Sequence, residues 1–117
     1  IDMFARVMND DTVLVSRYPS SHRQARVVDD CASTMSGLGY KVVRVDADHN
    51  FDEYATYSNS VLANGVALIP TYGSSKDANA LNTYRNIGYK AVAIDSRLII
   101  KYSGATHCLS MQIPAGR

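Results

Sequence analysis

The residues best suited to covalent chemistry lie together in the run Gly104-Ala105-Thr106-His107-Cys108-Leu109-Ser110. Cysteine is scarce, two in 117 residues, and Cys108 stands in a polar, glycine-led segment rather than an apolar one. Gly104 permits close backbone approach, and Ser103, Thr106 and Ser110 keep the surroundings polar. Cys108 therefore reads either as a nucleophile or as a packed strand cysteine. A thiol attacks only as the thiolate, so the first reading demands a positive or dipolar neighbour. His107 is adjacent. On an extended segment, however, successive side chains point to opposite faces, which makes His107 structural rather than a base for Cys108.

Other candidates are less pointed. Asp2 stands among Ile1, Met3 and Phe4, where a carboxylate is either exposed at a frayed end or functional. Asn59 sits in a β-rich run, where a turn or edge hydrogen bond is the simplest role. His22 and His49 fit a helix start and a loop. Cys31 falls on the apolar face of an expected helix and reads as a small buried hydrophobe. The two cysteines lie in different units with no Cys-x-x-Cys spacing, which argues against a redox pair and for free thiols. No Cys/His spacing resembles a zinc site, so no metal is expected.

The elements that must position these residues repeat. Residues 12–18 read as a strand, broken by Pro19-Ser20-Ser21. A helix follows from about residue 22 to 36, with Val28, Cys31, Ala32, Met35 and Leu38 on one face. Gly37 and Gly39 end it, and 41–45 is a second strand. Residues 66–72 open the same plan again. Gly73-Ser74-Ser75 breaks the strand, Ser75, Asp77 or both cap a helix carrying Ala78, Leu81 and Tyr84, Gly88 ends it, and 90–94 closes the unit. Asn64-Gly65 between two β-rich runs is a hairpin signal, so each unit is ββαβ. Residues 46–54, polar and acidic, read as an exposed loop.

Composition sets the bounds. A chain of 117 residues, 46% hydrophobic and 20% charged, is at most one soluble α/β domain. A net charge of +1 gives no electrostatic case for nucleic acid or an anionic membrane. No apolar run approaches the roughly 20 residues of a membrane helix, and no segment reads as a secretory signal. The opening, Ile1-Asp2-Met3-Phe4, reads as mid-domain sequence, so a piece of a longer chain is expected.

Several segments together resemble a known family. They are Ile1-Asp2-Met3-Phe4-Ala5-Arg6, Tyr57-Ser58-Asn59-Ser60-Val61-Leu62, 66–73, Lys76-Asp77-Ala78-Asn79-Ala80-Leu81, Ala93-Ile94-Asp95 and 104–114. In this order they resemble the C-terminal part of the bacterial, Porphyromonas-type peptidylarginine deiminases and the related agmatine deiminases, in the pentein superfamily of guanidine-modifying enzymes. The resemblance implies a five-bladed α/β propeller, of which this chain is a partial domain supplying about two ββαβ blades, 1–55 and 56–117. It implies that Cys108 is the nucleophile and that Asp2, from a Gly-His-x-Asp motif, is a catalytic and substrate-binding carboxylate. Asn59, from a Tyr-x-Asn-Ser segment, would be a substrate-side residue. His107 matches a histidine that many relatives carry, not the general acid. The motif's own histidine and a second guanidinium-binding carboxylate would lie upstream of Ile1.

The implied reaction converts peptidyl-arginine to peptidyl-citrulline and ammonia through a covalent thiouronium, without metal or organic cofactor. The alternative is agmatine to N-carbamoylputrescine. The segments 57–62 and Arg17-Tyr18-Pro19 look closer to the peptidylarginine branch. The implied partners are an arginine-containing peptide or agmatine and the missing N-terminal part, with neither nucleic acid nor membrane. The location would be cytoplasmic, or exported where an upstream signal exists. Alone, the chain is expected not to turn over substrate and to pair through its exposed edges. A non-catalytic module is the rival reading.

Overall fold

The computed structural model describes residues 2–115; Ile1, the first residue of the family-like opening, and residues 116–117, the end of the second expected blade, lie outside the described residues. The chain runs β1 (Ala5–Val7), β2 (Thr12–Arg17), α1 (Ala25–Gly37), β3 (Lys41–Asp46), β4 (Val61–Ala63), β5 (Val66–Thr71), α2 (Asp77–Ile87), β6 (Lys90–Asp95) and a 3₁₀ turn at Ile99–Tyr102. Two three-stranded sheets result, ordered β1-β2-β3 and β4-β5-β6. In each, an antiparallel hairpin leads through a helix to a parallel third strand. The registers match as well. Thr12 pairs with Lys41 and Arg17 with Asp46, while Val66 pairs with Lys90 and Thr71 with Asp95. Both third strands open on lysine and close on aspartate.

The central strand of the first sheet is covered on both faces, which its run Val13-Leu14-Val15 requires. Val13 and Val15 pack with Val28 and Ala32 of α1. Leu14 points the other way and joins Val45, Ala67, Ile69, Ala80 and Tyr84 in a core that draws on both units. The helices stop by one device. Gly39 (φ 92°) bonds back to Ser36 while Tyr40 bonds to Met35; Gly88 (φ 116°) bonds to Arg85 while Tyr89 bonds to Tyr84. Asn64 (φ 52°) and Gly65 (φ 76°) form the expected hairpin turn.

Four local expectations change. Helix α1 starts at Ala25, not near residue 22, because His22 stacks on Tyr18 at 4.6 Å and its Nδ1 accepts the Gln24 N–H. Leu38 lies past the end of α1 and is exposed, and Cys31 sits half-buried at the rim of the apolar face. At α2 it is Asp77, not Ser75, that organises the start. Its carboxylate accepts the N–H groups of Tyr72, Gly73 and Ser74, tying the preceding loop to the first turn. The loop over 46–54 is not fully exposed, since Ala47 and Asp48 are buried.

A fifth difference matters most. The β-rich run 57–63 is a strand only at Val61–Ala63. Residues 56–60 form a bent, irregular segment in which every residue has 0% exposure. Buried irregular backbone must find hydrogen bonds outside a sheet ladder. Tyrosines supply them: the Tyr72 hydroxyl donates to the Thr56 carbonyl (2.9 Å), and that of Tyr84 to the Tyr57 carbonyl (2.7 Å) and the Ser60 hydroxyl (2.8 Å). Burial raises the pKa of both hydroxyls, which keeps them protonated as donors. No helix among the described residues is long and apolar enough to cross a membrane.

Tyr84→Phe leaves the Tyr57 carbonyl without this donor in a buried place. It is expected to cost about 1–3 kcal/mol, read as a lower urea midpoint at unchanged slope. An unshifted midpoint would show that the 56–60 segment does not depend on this hydroxyl.

Candidate active site

The segment 56–60 holds the start of the chain in place. The Thr56 hydroxyl and the Ser58 hydroxyl (2.8 Å) both reach the Met3 carbonyl, and Ser58 also meets the Ser16 hydroxyl of β2 at 2.8 Å. The Ser16 N–H adds a bond to the Phe4 carbonyl at 2.7 Å. These contacts fix the backbone on which Asp2 stands, just ahead of β1.

The end of the chain is brought to the same point by the 3₁₀ turn. Ile100 and Ala105 are buried in the shared core, and Ser103 (φ 63°) turns the backbone between them. Residues 106–109 then form a tight turn. Gly104 leaves room for it: a Cβ there would lie 3.0 Å from the Cys108 Cβ and 3.5 Å from its Sγ. The close approach expected of Gly104 is thus an approach to Cys108 itself.

Asn59 joins the two ends. Its Oδ1 accepts the N–H of His107 (3.1 Å) and of Cys108 (3.4 Å), and its main-chain carbonyl also takes the His107 N–H at 3.1 Å. Its Nδ2 donates to the Asp2 carbonyl (3.2 Å), the Asp2 carboxylate (3.4 Å) and Cys108 Sγ (3.2 Å). With Oδ1 facing two N–H donors, the amide orientation is determined. The simple turn bond expected of Asn59 is instead a buried clip among three segments.

Asp2, Asn59 and Cys108 are therefore in mutual contact. Cys108 Sγ lies 3.6 Å from Asp2 Oδ2 and 3.8 Å from Met3 Sδ, and its residue is exposed while Asn59 is wholly buried. His107 belongs to the same group. Its Nδ1 meets Asp2 Oδ2 at 3.0 Å. The extended-strand argument that set His107 and Cys108 on opposite faces fails because 106–109 is a turn. That hydrogen bond from His107 is the main cause holding the Asp2 carboxyl below its ordinary value, with a smaller part from Cys108 and against a contrary push from burial.

The remaining candidates lie apart from this group. His22 stacks on Tyr18 with His49 tilted against both rings, and both cysteines are free thiols. Clefts open elsewhere, among them one of about 340 Å³ beside Arg17, Tyr18, Asp46 and Lys76 and one of about 510 Å³ beside Phe51, Asp95, Arg97 and Lys101. Convergence of side chains, rather than concavity, marks the site. No group of three or more His, Cys, Asp or Glu that could hold a metal occurs among the described residues.

A cysteine thiol presented by a tight turn, beside a carboxylate–imidazole pair and over paired ββαβ units, defines a cysteine-centred site in an α/β repeat fold. The chain belongs to the Porphyromonas-type peptidyl-arginine deiminase family, whose sequence model matches residues 1–114. A candidate agmatine deiminase of Vibrio parahaemolyticus is 35% identical over 63 residues, 52% of this chain and 18% of its own length. The solved structure of a candidate arginine deiminase from Porphyromonas gingivalis superposes with a TM-score of 0.80 at 28% identity, covering 97% of this chain and 38% of that one. The agmatine deiminase of C. jejuni matches in fold, with TM-score 0.80 at 18% identity over 92% of this chain and 35% of its own. The chain thus spans well under half of the relatives it matches. Its α/β fold is that of the pentein deiminases, seen here as a partial, unclosed portion.

Two outcomes test this geometry. Gly104→Ala is expected to cost about 1–3 kcal/mol by overpacking and to displace Cys108 in a crystal structure; unchanged stability and an unmoved Cys108 would show a roomier turn. Because the folded carboxyl of Asp2 is lowered, its contribution to stability is present above the ordinary value of 3.8 and lost as the pH falls through the folded value. An NMR titration should find the Asp2 midpoint below 3.8 and rising in His107→Ala; equal midpoints in the two proteins would contradict the His107 contact.

Proposed function

We propose that this chain forms part of the catalytic domain of a guanidino-group hydrolase, with residues 1–55 and 56–117 as two of five ββαβ blades. The observation that carries the reading is the meeting of Cys108, Asp2 and Asn59 at one point from three distant parts of the chain. A guanidinium is planar and cationic and a poor electrophile. A carboxylate can take its N–H fork and hold the central carbon over a sulfur. Asp2 is the binding carboxylate in this reading, Cys108 the nucleophile, and Asn59 the substrate-side amide that keeps the two in register.

The bound cation brings positive charge beside Cys108 at the moment the thiolate is needed. Sulfur attack on the guanidinium carbon gives a tetrahedral adduct. A protonated histidine supplied by the rest of the domain donates a proton to one nitrogen, and ammonia departs to leave a thiouronium. Water then adds, returning one proton to that histidine and giving one to the released ammonia, the C–S bond breaks, and a ureido product and free thiolate remain. The side chains named here need no metal for any of these steps.

Agmatine is the substrate favoured by the candidate agmatine deiminase of V. parahaemolyticus, 35% identical over 63 residues. Peptidyl-arginine is the second reading, supported by the description of the family whose model covers the chain. The rest of the domain is the expected partner in either case.

The test is ammonia and ureido product from agmatine and from an arginyl peptide, using the full-length protein. Activity on one of them is expected to fall by at least about a thousandfold in Cys108→Ala and to be absent from the 117-residue chain alone. Full activity in Cys108→Ala would overturn the nucleophile, and no activity on either substrate in a folded wild-type protein would overturn the reaction class.

A further inference from the structure

We propose that His107 is a positioning residue, whose Nδ1–H holds the Asp2 carboxylate in the orientation that receives a cationic guanidino group beside Cys108. This rests on the guanidino-hydrolase reading above. Three contacts fall on the same oxygen, Asp2 Oδ2. His107 Nδ1 is at 3.0 Å, Asn59 Nδ2 at 3.4 Å and Cys108 Sγ at 3.6 Å. The imidazole contact is the shortest and the best placed as a hydrogen bond to a charged acceptor.

The ring is held from behind. The His107 N–H is bonded to both the carbonyl and the Oδ1 of Asn59, and the His107 carbonyl takes the Ser110 hydroxyl (2.8 Å) and N–H (3.0 Å). His107 and Cys108 are consecutive residues of one rigid turn. The donor that aims the carboxylate and the sulfur that attacks are therefore set by the same few backbone torsions. A shift of that turn moves both together, so their spacing is preserved.

His107 also answers a problem that arises during attack. In the resting site the Cys108 thiol is one of the groups that donate toward Asp2 Oδ2. Once the sulfur is ionised it donates nothing, and two anions stand a few ångströms apart. A retained N–H on Oδ2 keeps the carboxylate from turning away. Neutral imidazole in its Nδ1–H tautomer and imidazolium both present this N–H. The role is therefore one of aim, and an amide that places an N–H at the same point should replace it.

The experiment measures alkylation of Cys108 in the full-length protein by a cationic amidine, 2-chloroacetamidine, and by neutral iodoacetamide, each scaled to its rate with a free thiol. Wild type should prefer the amidine, and Cys108→Ala should lose labelling at this site with both. His107→Ala is expected to lower the amidine preference by about tenfold, the size of one charge-assisted hydrogen bond. His107→Asn, whose Nδ2 falls near the lost Nδ1, should retain it within about twofold. His107→Gln, which reaches past that point, should behave like alanine, so the Asn–Gln pair decides the matter if the alanine variant does not fold. An undiminished preference in His107→Ala, or an equal loss in Asn and Gln, overturns the positioning role. A wild type without amidine preference overturns the guanidino-site reading instead.

Discussion

A buried carboxamide holds the candidate site together. Asn59 has no solvent exposure, and both polar atoms of its side chain are engaged by segments that are far apart in sequence. An amide is suited to this because it carries acceptor and donor on one rigid plane: one edge collects the N–H groups of the 106–109 turn while the other donates to the start of the chain and to the sulfur. A carboxylate in its place could accept but not donate. A hydroxyl could not span both sides. Asn59 in turn depends on the segment around it, which has no ladder and is held by the hydroxyls of Tyr72, just past β5, and Tyr84 of α2. Stability and site geometry therefore share the same bonds, and core packing at Tyr84 sets the position of an exposed thiol much further along the chain.

The two units share a plan and divide the labour. Each has a hairpin, a helix closed by a left-handed glycine and a parallel third strand that runs from lysine to aspartate. The first contributes a carboxylate from the residues entering its hairpin. The second contributes the amide from its own hairpin approach and the thiol from the turn beyond its last strand. Placing these three residues outside the strands leaves the sheets free to pack, and the shared core of Leu14, Val45, Ile69 and Tyr84 joins the two units. Contacts of about 3–4 Å between the two contributions depend on that core staying dry and close-packed.

Regular elements are legible in the sequence because their signals are local. The 3.6-residue spacing around Val28 and Ala32, the Asn64-Gly65 turn and the glycines at 39 and 88 each act through neighbours in the chain, and the corresponding helix, hairpin and helix ends form there, with only the start of α1 displaced. The special surroundings of Cys108 and the use of Gly104 for close approach are legible for the same reason. The illegible parts depend on contacts distant in sequence. Residues 57–63 read as one β-rich run, yet polar side chains that are all buried cannot be distinguished from a half-exposed strand until the tyrosines that satisfy them are located. His107 is misplaced by a rule for extended chains because it stands in a turn, and nothing in Thr106-His107-Cys108-Leu109 marks the turn by itself. Its cause is Asn59, far upstream, collecting two successive N–H groups.

That turn changes how the neighbouring histidine should be understood. In a strand, adjacent residues serve opposite faces, and a His-Cys pair would split between core and site. In a turn whose N–H groups converge on one acceptor, adjacent side chains can converge too, and here both reach the same carboxylate oxygen. The arrangement is a closed ring of contacts: Asn59 to the turn, the turn through His107 and Cys108 to Asp2, and Asp2 back to Asn59. Removing one contact leaves the others to hold the geometry, but loosely, since the surviving distances to Oδ2 are 3.4 and 3.6 Å where the imidazole stands at 3.0 Å. The order of the site therefore comes from closing this ring, and its tightest bond is the one between His107 and Asp2.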